Sequence, residues 1–385
     1  MSAAASRGRP GFPRHAEALE ALGARGRRRA LMPRAGRDFS SNDYLGLASS
    51  ELLRAAARAA LDRGVATGSG GSRLLRGNDA EHVALEEEAA TFFGASAALY
   101  MGAGFPGNVA IFSSLPMQGD LVLHDALVHA SAHDGMRLGR AETQSFAHND
   151  ADAARDALRS WRAAGGTGRA WIACESLYSM EGDLAPLDNL AAVAAEDGAV
   201  LVVDEAHASG LYGVQGQGRA HGLDPSVDLV SLHTCGKALG GAGGLICGDP
   251  VLIDTLINRA RNFIFSTAPS PLDAAIMRAA LRLVEERPEL REAAWRNITH
   301  AHEAARRGGF GAFETQILPV LIGDDAEALA LAQALQARGH DVRAIRPPTV
   351  PRGTARLRVS ITPNVSKDEI DALFADLADI RKAAA

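Results

Sequence analysis

The run "AVLVVDEAH", Ala199–His207, is apolar for five residues without a break and then stops on a carboxylate. Alternation would mark a strand with one wet face. An unbroken run marks a strand covered on both faces, as in a parallel sheet flanked by helices. The same signature recurs on either side, in "SAALYM" from Ser96, "DLVLHD" from Asp120, "RAWIACES" from Arg169, "DLVSLHT" from Asp228 and "GGLICGD" from Gly243. Helical patterns such as "ADAARDALRSWRAA" and "LDNLAAVAAEDG" lie between them. Strand and helix in alternation predict an α/β fold: a mainly parallel sheet with helices on both faces and right-handed crossovers.

From about Leu272 the pattern changes. A long helical stretch, broken or kinked near Pro288, leads into "QILPVLIG", a helix "DAEALALAQALQARG", the extended pieces "DVRAIRPP" and "ARLRVSIT", and a last helix "SKDEIDALFADLADIRKA". This predicts a smaller C-terminal α+β domain. The expected organisation is an N-terminal helical segment over 1–40, a large α/β domain over 41–271 and the small domain over 272–385.

The composition narrows the function. A net charge of −6 argues against a nucleic-acid surface, and no apolar run reaches the roughly 18–20 residues of a membrane span. The opening stretch has no apolar signal-peptide core and reads as a frayed leader entering an amphipathic helix. Three cysteines, Cys174, Cys235 and Cys247, give no disulfide framework, so a cytoplasmic protein is expected. No metal site is expected either: His300 and His302 sit on a polar helical stretch that reads as a solvated face.

Ligands of open α/β sheets sit at the carboxyl ends of strands, and several polar residues fall there. Asp204 ends its strand, with His207 three residues on. Thr234 and Lys237 follow the next strand, in "SLHTCGKALGG". "MGAGFPGN" after the first strand offers glycine-flanked backbone N–H groups at a helix start, a natural phosphate site. "VLHDALVHAS" supplies His129. Taken singly, each has a plainer explanation as a cap, a turn or a structural histidine. Lys237 resists one. Only three of the 40 basic residues are lysines, and the other two, Lys367 and Lys382, lie in the polar C-terminal region. Unlike an arginine, a desolvated lysine loses its proton and becomes a nucleophile. A nucleophilic lysine, a buried carboxylate, histidines and a phosphate cradle together point to pyridoxal 5'-phosphate (PLP).

The motifs "SNDYLGL" (Ser41–Leu47), "GSGGSR" (Gly68–Arg73), "LVVDEAHASG", "HTCGK" and "AIRPPTVPRGTARLRVSIT" (Ala344–Thr362) resemble the α-oxoamine synthases, PLP enzymes of fold type I. The last motif resembles the branch that makes 8-amino-7-oxononanoate for biotin. The resemblance implies a homodimer that condenses L-alanine with pimeloyl-CoA or pimeloyl-acyl-carrier protein and releases CO2 and thiol. It leaves open a sister enzyme using glycine or another acyl chain, or a PLP protein without turnover. It implies that Lys237 bonds the cofactor's aldehyde, that Asp204 faces the ring nitrogen, that His207 lies near the phenolic oxygen and that His129 stacks on the ring. Gly104, Phe105, Ser179 and Thr234 would contact the cofactor, with Ser266 and Thr267 reaching the partner subunit's. Arg27, Asn42, Ser72 and Thr349 would contact substrate, with Arg346 as a carboxylate anchor. Ser72, where glycine-using relatives often carry threonine, leaves room for alanine's methyl group. "HASG" and "GKALGGAGG" depart from the commoner "HGTG" and "GKGFG".

Overall fold

The computed structural model describes residues 11–384, so the expected leader lies largely outside the described residues. In chain order the strands are β1 Arg37–Asp38, β2 Ala97–Met101, β3 Leu121–Asp125, β4 Glu142–Phe146, β5 Ala170–Glu175 and β6 Val200–Asp204. They continue as β7 Asp228–Thr234, β8 Gly244–Gly248, β9 Ile317–Gly323, β10 His340–Asp341, β11 Arg343–Ile345 and β12 Ala355–Ser360.

Seven of them form one sheet in the order β2-β8-β7-β6-β5-β3-β4. Only β8 runs antiparallel to its neighbours. The unbroken apolar runs became buried strands because each face packs on its own layer of helices. Leu121, Leu123, Leu201 and Val203 point into one core with Ala154, Leu158 and Leu190. Val122, Val200 and Val202 point into the other with Ile111, Ala132 and Met136. Each valine, leucine, isoleucine or methionine side chain here contributes roughly 1.5–3 kcal/mol when buried. The strand that the sequence pattern did not reveal is β4, "ETQSF". It lies at the sheet edge with its first four residues exposed, where no apolar run is needed.

The chain leaves β3 for β4 on one side and returns through β5 on the other. That reversal is a topological switch point, and it opens a crevice at the carboxyl ends of β3, β5 and β6.

Beyond the sheet, the helices Pro271–Glu286 and Pro288–Arg307 meet at Arg287, as Pro288 predicts. They lead to a three-stranded sheet, β11-β12-β9, covered by the helices Asp325–Ala337 and Lys367–Ala384. The first helix, Pro13–Ala24, buries no side chain, and β1 pairs with β10 in parallel. His300 and His302 are not solvated. Both are half-buried, His300 3.1 Å from Asp371 and His302 2.8 Å from the Thr315 carbonyl. Their partners come from distant sequence, which is why a local reading missed them. No helix among the described residues is long and apolar enough to cross a membrane.

Candidate active site

Asp204 closes β6 and sits in register beside Glu175, which closes β5. Its Oδ2 accepts from Asn108 Nδ2 at 2.7 Å and its Oδ1 from the Ala206 N–H at 2.9 Å. Asn108 lies one turn into the Gly104–Ser114 helix and also donates to Ser131 Oγ at 3.0 Å. Ser131 in turn lies 2.7 Å from His129 Nδ1, and its N–H also points to that nitrogen. His129 therefore caps the Ala130–Leu138 helix as an acceptor at Nδ1, which leaves the proton on Nε2. Burial lowers its pKa and nearby Lys237 adds to the fall, against the opposing Asp204 charge, so the ring is neutral. Phe105 stands edge-on to it, with centroids 6.1 Å apart.

Lys237 lies in the bend after β7, closed by Gly240 N–H to the Lys237 carbonyl and Gly241 N–H to the Cys235 carbonyl. Gly240 has φ +71°, and a Cβ there would stand 2.6 Å from Leu47 Cβ in the "SNDYLGL" stretch. The two departures from the commoner motifs meet in this region. Gly210 of "HASG" approaches Ala238 of "GKAL" so closely that a Cβ would lie 2.7 Å from Ala238's, and Ala208 and Ala238 are both buried.

The Lys237 Nζ lies 2.8 Å from His207 Nε2, and His207 Nδ1 lies 2.6 Å from the Tyr44 hydroxyl. Tyr44 Oη is 2.9 Å from Asn42 Oδ1, and Arg358 Nη2 donates to both, at 3.4 and 3.1 Å. One arrangement gives every contact a proton: Lys237 donates to Nε2, Nδ1–H to Tyr44, and Tyr44 to Asn42. Burial first, then the Lys237 and Arg358 charges, hold His207 far below the ordinary histidine range, so it stays neutral. Burial brings the Lys237 amine down to about 8, against the pull of Asp204 and Glu175. Glu175 is pushed well up, by burial and then by Asp204 beside it. Its Oε2 accepts the Ser179 N–H at 3.3 Å, while its buried Oε1 has no partner among the described residues.

The helix Gly104–Ser114 begins without a side-chain cap, so its first-turn N–H groups are unclaimed by any side chain. A Cβ at Gly104 would touch Thr234 at 3.3 Å. Asn108, His129, Glu175 and Asp204 line one narrow cavity with Val202 and Ala173 beneath.

The remaining sequence-derived residues are placed less centrally within one chain. Arg27 is bound to Asp325, with contacts of 2.7 and 3.1 Å. Arg346 donates to the Gly26 carbonyl, and Thr349 accepts from Arg29 at 3.1 Å. These contacts lay the 26–29 segment on the 346–349 loop. The Ser72 carbonyl closes a turn by accepting from Leu75 and Gly77. Ser266 and Thr267 are exposed, next to Phe265, which is 72% exposed.

The sequence profile of the family described as Aminotransferase class I and II matches residues 36–377. The 8-amino-7-oxononanoate synthase of Methylococcus capsulatus is 43% identical over 347 residues, covering 89% of this chain and 88% of its own. That of Geobacter sulfurreducens is 41% identical over the same shares. The chain belongs to the 8-amino-7-oxononanoate synthase family of class I and II aminotransferases.

Solved structures agree with this family's fold. A serine palmitoyltransferase from S. paucimobilis, with bound PLP-myriocin aldimine, superposes with a TM-score of 0.88 at 27% identity, covering 97% of this chain and 98% of that one. An 8-amino-7-oxononanoate synthase from Francisella tularensis gives 0.75 at 26% identity, covering 91% and 98%.

Against the family background, four residues of the cluster stand out that the sequence reading passed over: Tyr44, Asn108, Glu175 and Arg358. One carried a usable signal. Glu175 ends "AWIACE" as Asp204 ends "VLVVD", a carboxylate closing a buried strand. Arg358 carried none: Arg356 and Arg358 alternate with Leu357 and Val359 in β12, a pattern that reads as a solvent face, yet all six residues of the strand are buried. The Arg358 guanidinium binds the Ser179 carbonyl at 2.6 Å, Ser360 Oγ, Asn42 and Tyr44, all neutral oxygens.

Proposed function

We propose that this chain is a PLP-dependent acyltransferase that condenses L-alanine with a pimeloyl thioester, releasing CO2 and thiol, to give 8-amino-7-oxononanoate. The family membership supports the reaction. The observation that carries the site is the Lys237 Nζ held 2.8 Å from His207 Nε2 and near enough to Asp204 for that carboxylate to pull on its charge.

The residues present fit PLP. Lys237 would bond its aldehyde, Asp204 would hold the ring nitrogen's proton, His129 would lie on the ring and the uncapped helix start at Gly104 would take the phosphate, with Thr234 and Ser179 alongside. When bound, PLP supplies a ring that accepts the electrons left on the amino acid's α-carbon. The chain does the rest. Lys237 Nζ removes the α-proton and returns one after CO2 leaves, a role suited to an amine near neutrality. Neutral His207, fixed by Tyr44, orients that amine and would lie near the cofactor's phenolic oxygen. Asn108 and the Ala206 N–H keep Asp204 aimed at the place the ring nitrogen would take.

Arg358 replaces Arg346 in our reading as the anchor of the amino acid's carboxylate. Its fork is buried, its present contacts carry no negative charge, and Asn42 shares its site. Arg346, Arg27 and Thr349 are assigned to the acyl chain's entrance. The donor class is a thioester, carried on CoA or on acyl-carrier protein. The working form is a homodimer in which Ser266 and Thr267 would reach the phosphate of the cofactor held by the partner.

Incubation with L-alanine, glycine or serine against pimeloyl and longer acyl thioesters, read as CO2 and thiol release, tests the assignment. The expected result is turnover with alanine and pimeloyl donors. Turnover restricted to glycine or to another acyl chain would move the protein to a sister activity, and none at all would make it a binding protein.

A further inference from the structure

His148 has no part in the chemistry above, yet it lies between two carboxylates. Its Nδ1 is 2.9 Å from Asp125 Oδ1 and its Nε2 is 2.8 Å from Asp183 Oδ2. Carboxylate oxygens only accept, so both ring nitrogens carry protons and the side chain is an imidazolium. Partial burial alone would lower its pKa; the two carboxylates override that and hold it at about 10.

Each end of this bridge leads to the site. Asp125 is fully buried at the end of β3, four residues before His129, and also accepts the Leu127 and Asn149 N–H groups. Asn149 takes φ +57°, a left-handed conformation that asparagine tolerates better than most residues. There its backbone serves Asp125 while its side chain donates to Asp183 at 3.0 Å. Asp183 closes a turn: its carbonyl accepts the Tyr178 N–H, and the Gly182 N–H returns to Tyr178. Tyr178 stands edge-on over the His148 ring at 4.4 Å. Ser179, on that turn, seats Arg358 through its carbonyl and touches Glu175 through its N–H.

We propose that His148 is a positioning residue for amino-acid binding, its cation clamping the Tyr178–Asp183 turn to the carboxyl end of β3 so that the Ser179 carbonyl holds the Arg358 guanidinium in place. The proposal rests on the reading of Arg358 as the carboxylate anchor. A displaced anchor weakens the amino acid most, leaving the acyl donor and the cofactor's attachments at Lys237, Asp204 and the Gly104 helix start in place, with Ser179 the one cofactor contact on the moving turn.

The test uses His148→Gln in the PLP-loaded enzyme, with L-alanine binding followed by the change in the cofactor's visible spectrum. The Kd and KM for alanine should rise about tenfold or more, with kcat and the acyl-donor KM held within about twofold and any loss of PLP affinity smaller than the loss for alanine. A lower melting temperature with an unchanged alanine Kd would mean a structural bridge only and overturn the proposal. Asp183→Asn, which releases one end and leaves the buried Asp125 contact, should give the same selective loss if His148→Gln fails to fold. Arg358→Lys separates the two readings. If it weakens alanine while neither clamp variant does, the clamp alone fails; if it leaves alanine binding unchanged, the carboxylate anchor fails and the proposal falls with it.

Discussion

At Lys237 burial and charge pull in opposite directions. Removing the ammonium from water favours the neutral amine, while Asp204 and Glu175 favour the cation, and burial wins down to about 8. A folded-state pKa below the free-lysine value means that more of this amine is unprotonated at neutral pH. The rate at which the apoenzyme captures an aldehyde should therefore rise with pH and level off above about 8. A rate still climbing at about pH 10, as for an ordinary lysine, would contradict the assigned environment. At Asn108 the argument is hydrogen bonding to a charge. Asn108→Ala strips the amide donor from Asp204 Oδ2, a loss of about 1.5–3 kcal/mol for a charged pair. PLP titration should show a Kd about 10- to 100-fold higher, and because buried Asn108 makes these bonds in the free chain too, the melting temperature of the apoenzyme should fall as well. The grouping of Lys237, Asp204, His129 and His207 was legible in the sequence because Lys237 stands against an arginine background and the other three fall at or just after strand ends. Asn108, Tyr44 and Arg358 were not, since their roles arise from partners 96, 163 and 316 positions away, respectively.

Among the elements, the buried strands read directly because burial on both faces demands an unbroken apolar run. The edge strand β4 escaped because exposure removes that demand. The start of β8 shows how an element serves the site. Gly243 has φ +111° and bridges to Ala103, the residue that opens the Gly104–Ser114 helix. A Cβ there would lie 2.2 Å from the Tyr100 ring. Gly243→Ala should lower stability by roughly 1–3 kcal/mol from overpacking alone, read as a lower denaturant midpoint. PLP affinity should fall with it, because the phosphate cradle begins at the next residues. An unchanged midpoint would show that Tyr100 yields without cost.

Across the whole molecule, the α/β alternation and the later α+β segment were visible because helix and strand periods differ throughout. The pairing of β1 with β10 was not, being two residues long and 303 positions apart in the chain. The surface bears on the proposed homodimer. Leu75 and Phe265 are 84% and 72% exposed, and the Ala268 N–H to Gly71 carbonyl bond ties the two loops together. Exposed apolar groups beside Ser266 and Thr267 suit a face covered by a second copy. Sedimentation should give a dimer, and a fully active monomer would remove the shared site.

The account depends most on where PLP is covalently held, and the chain offers just three lysines. Borohydride reduction of the PLP-loaded enzyme, followed by peptide mass mapping, should find the pyridoxyl group on the peptide containing Lys237 and on no other. A label on Lys367 or Lys382, or none at all, would contradict it.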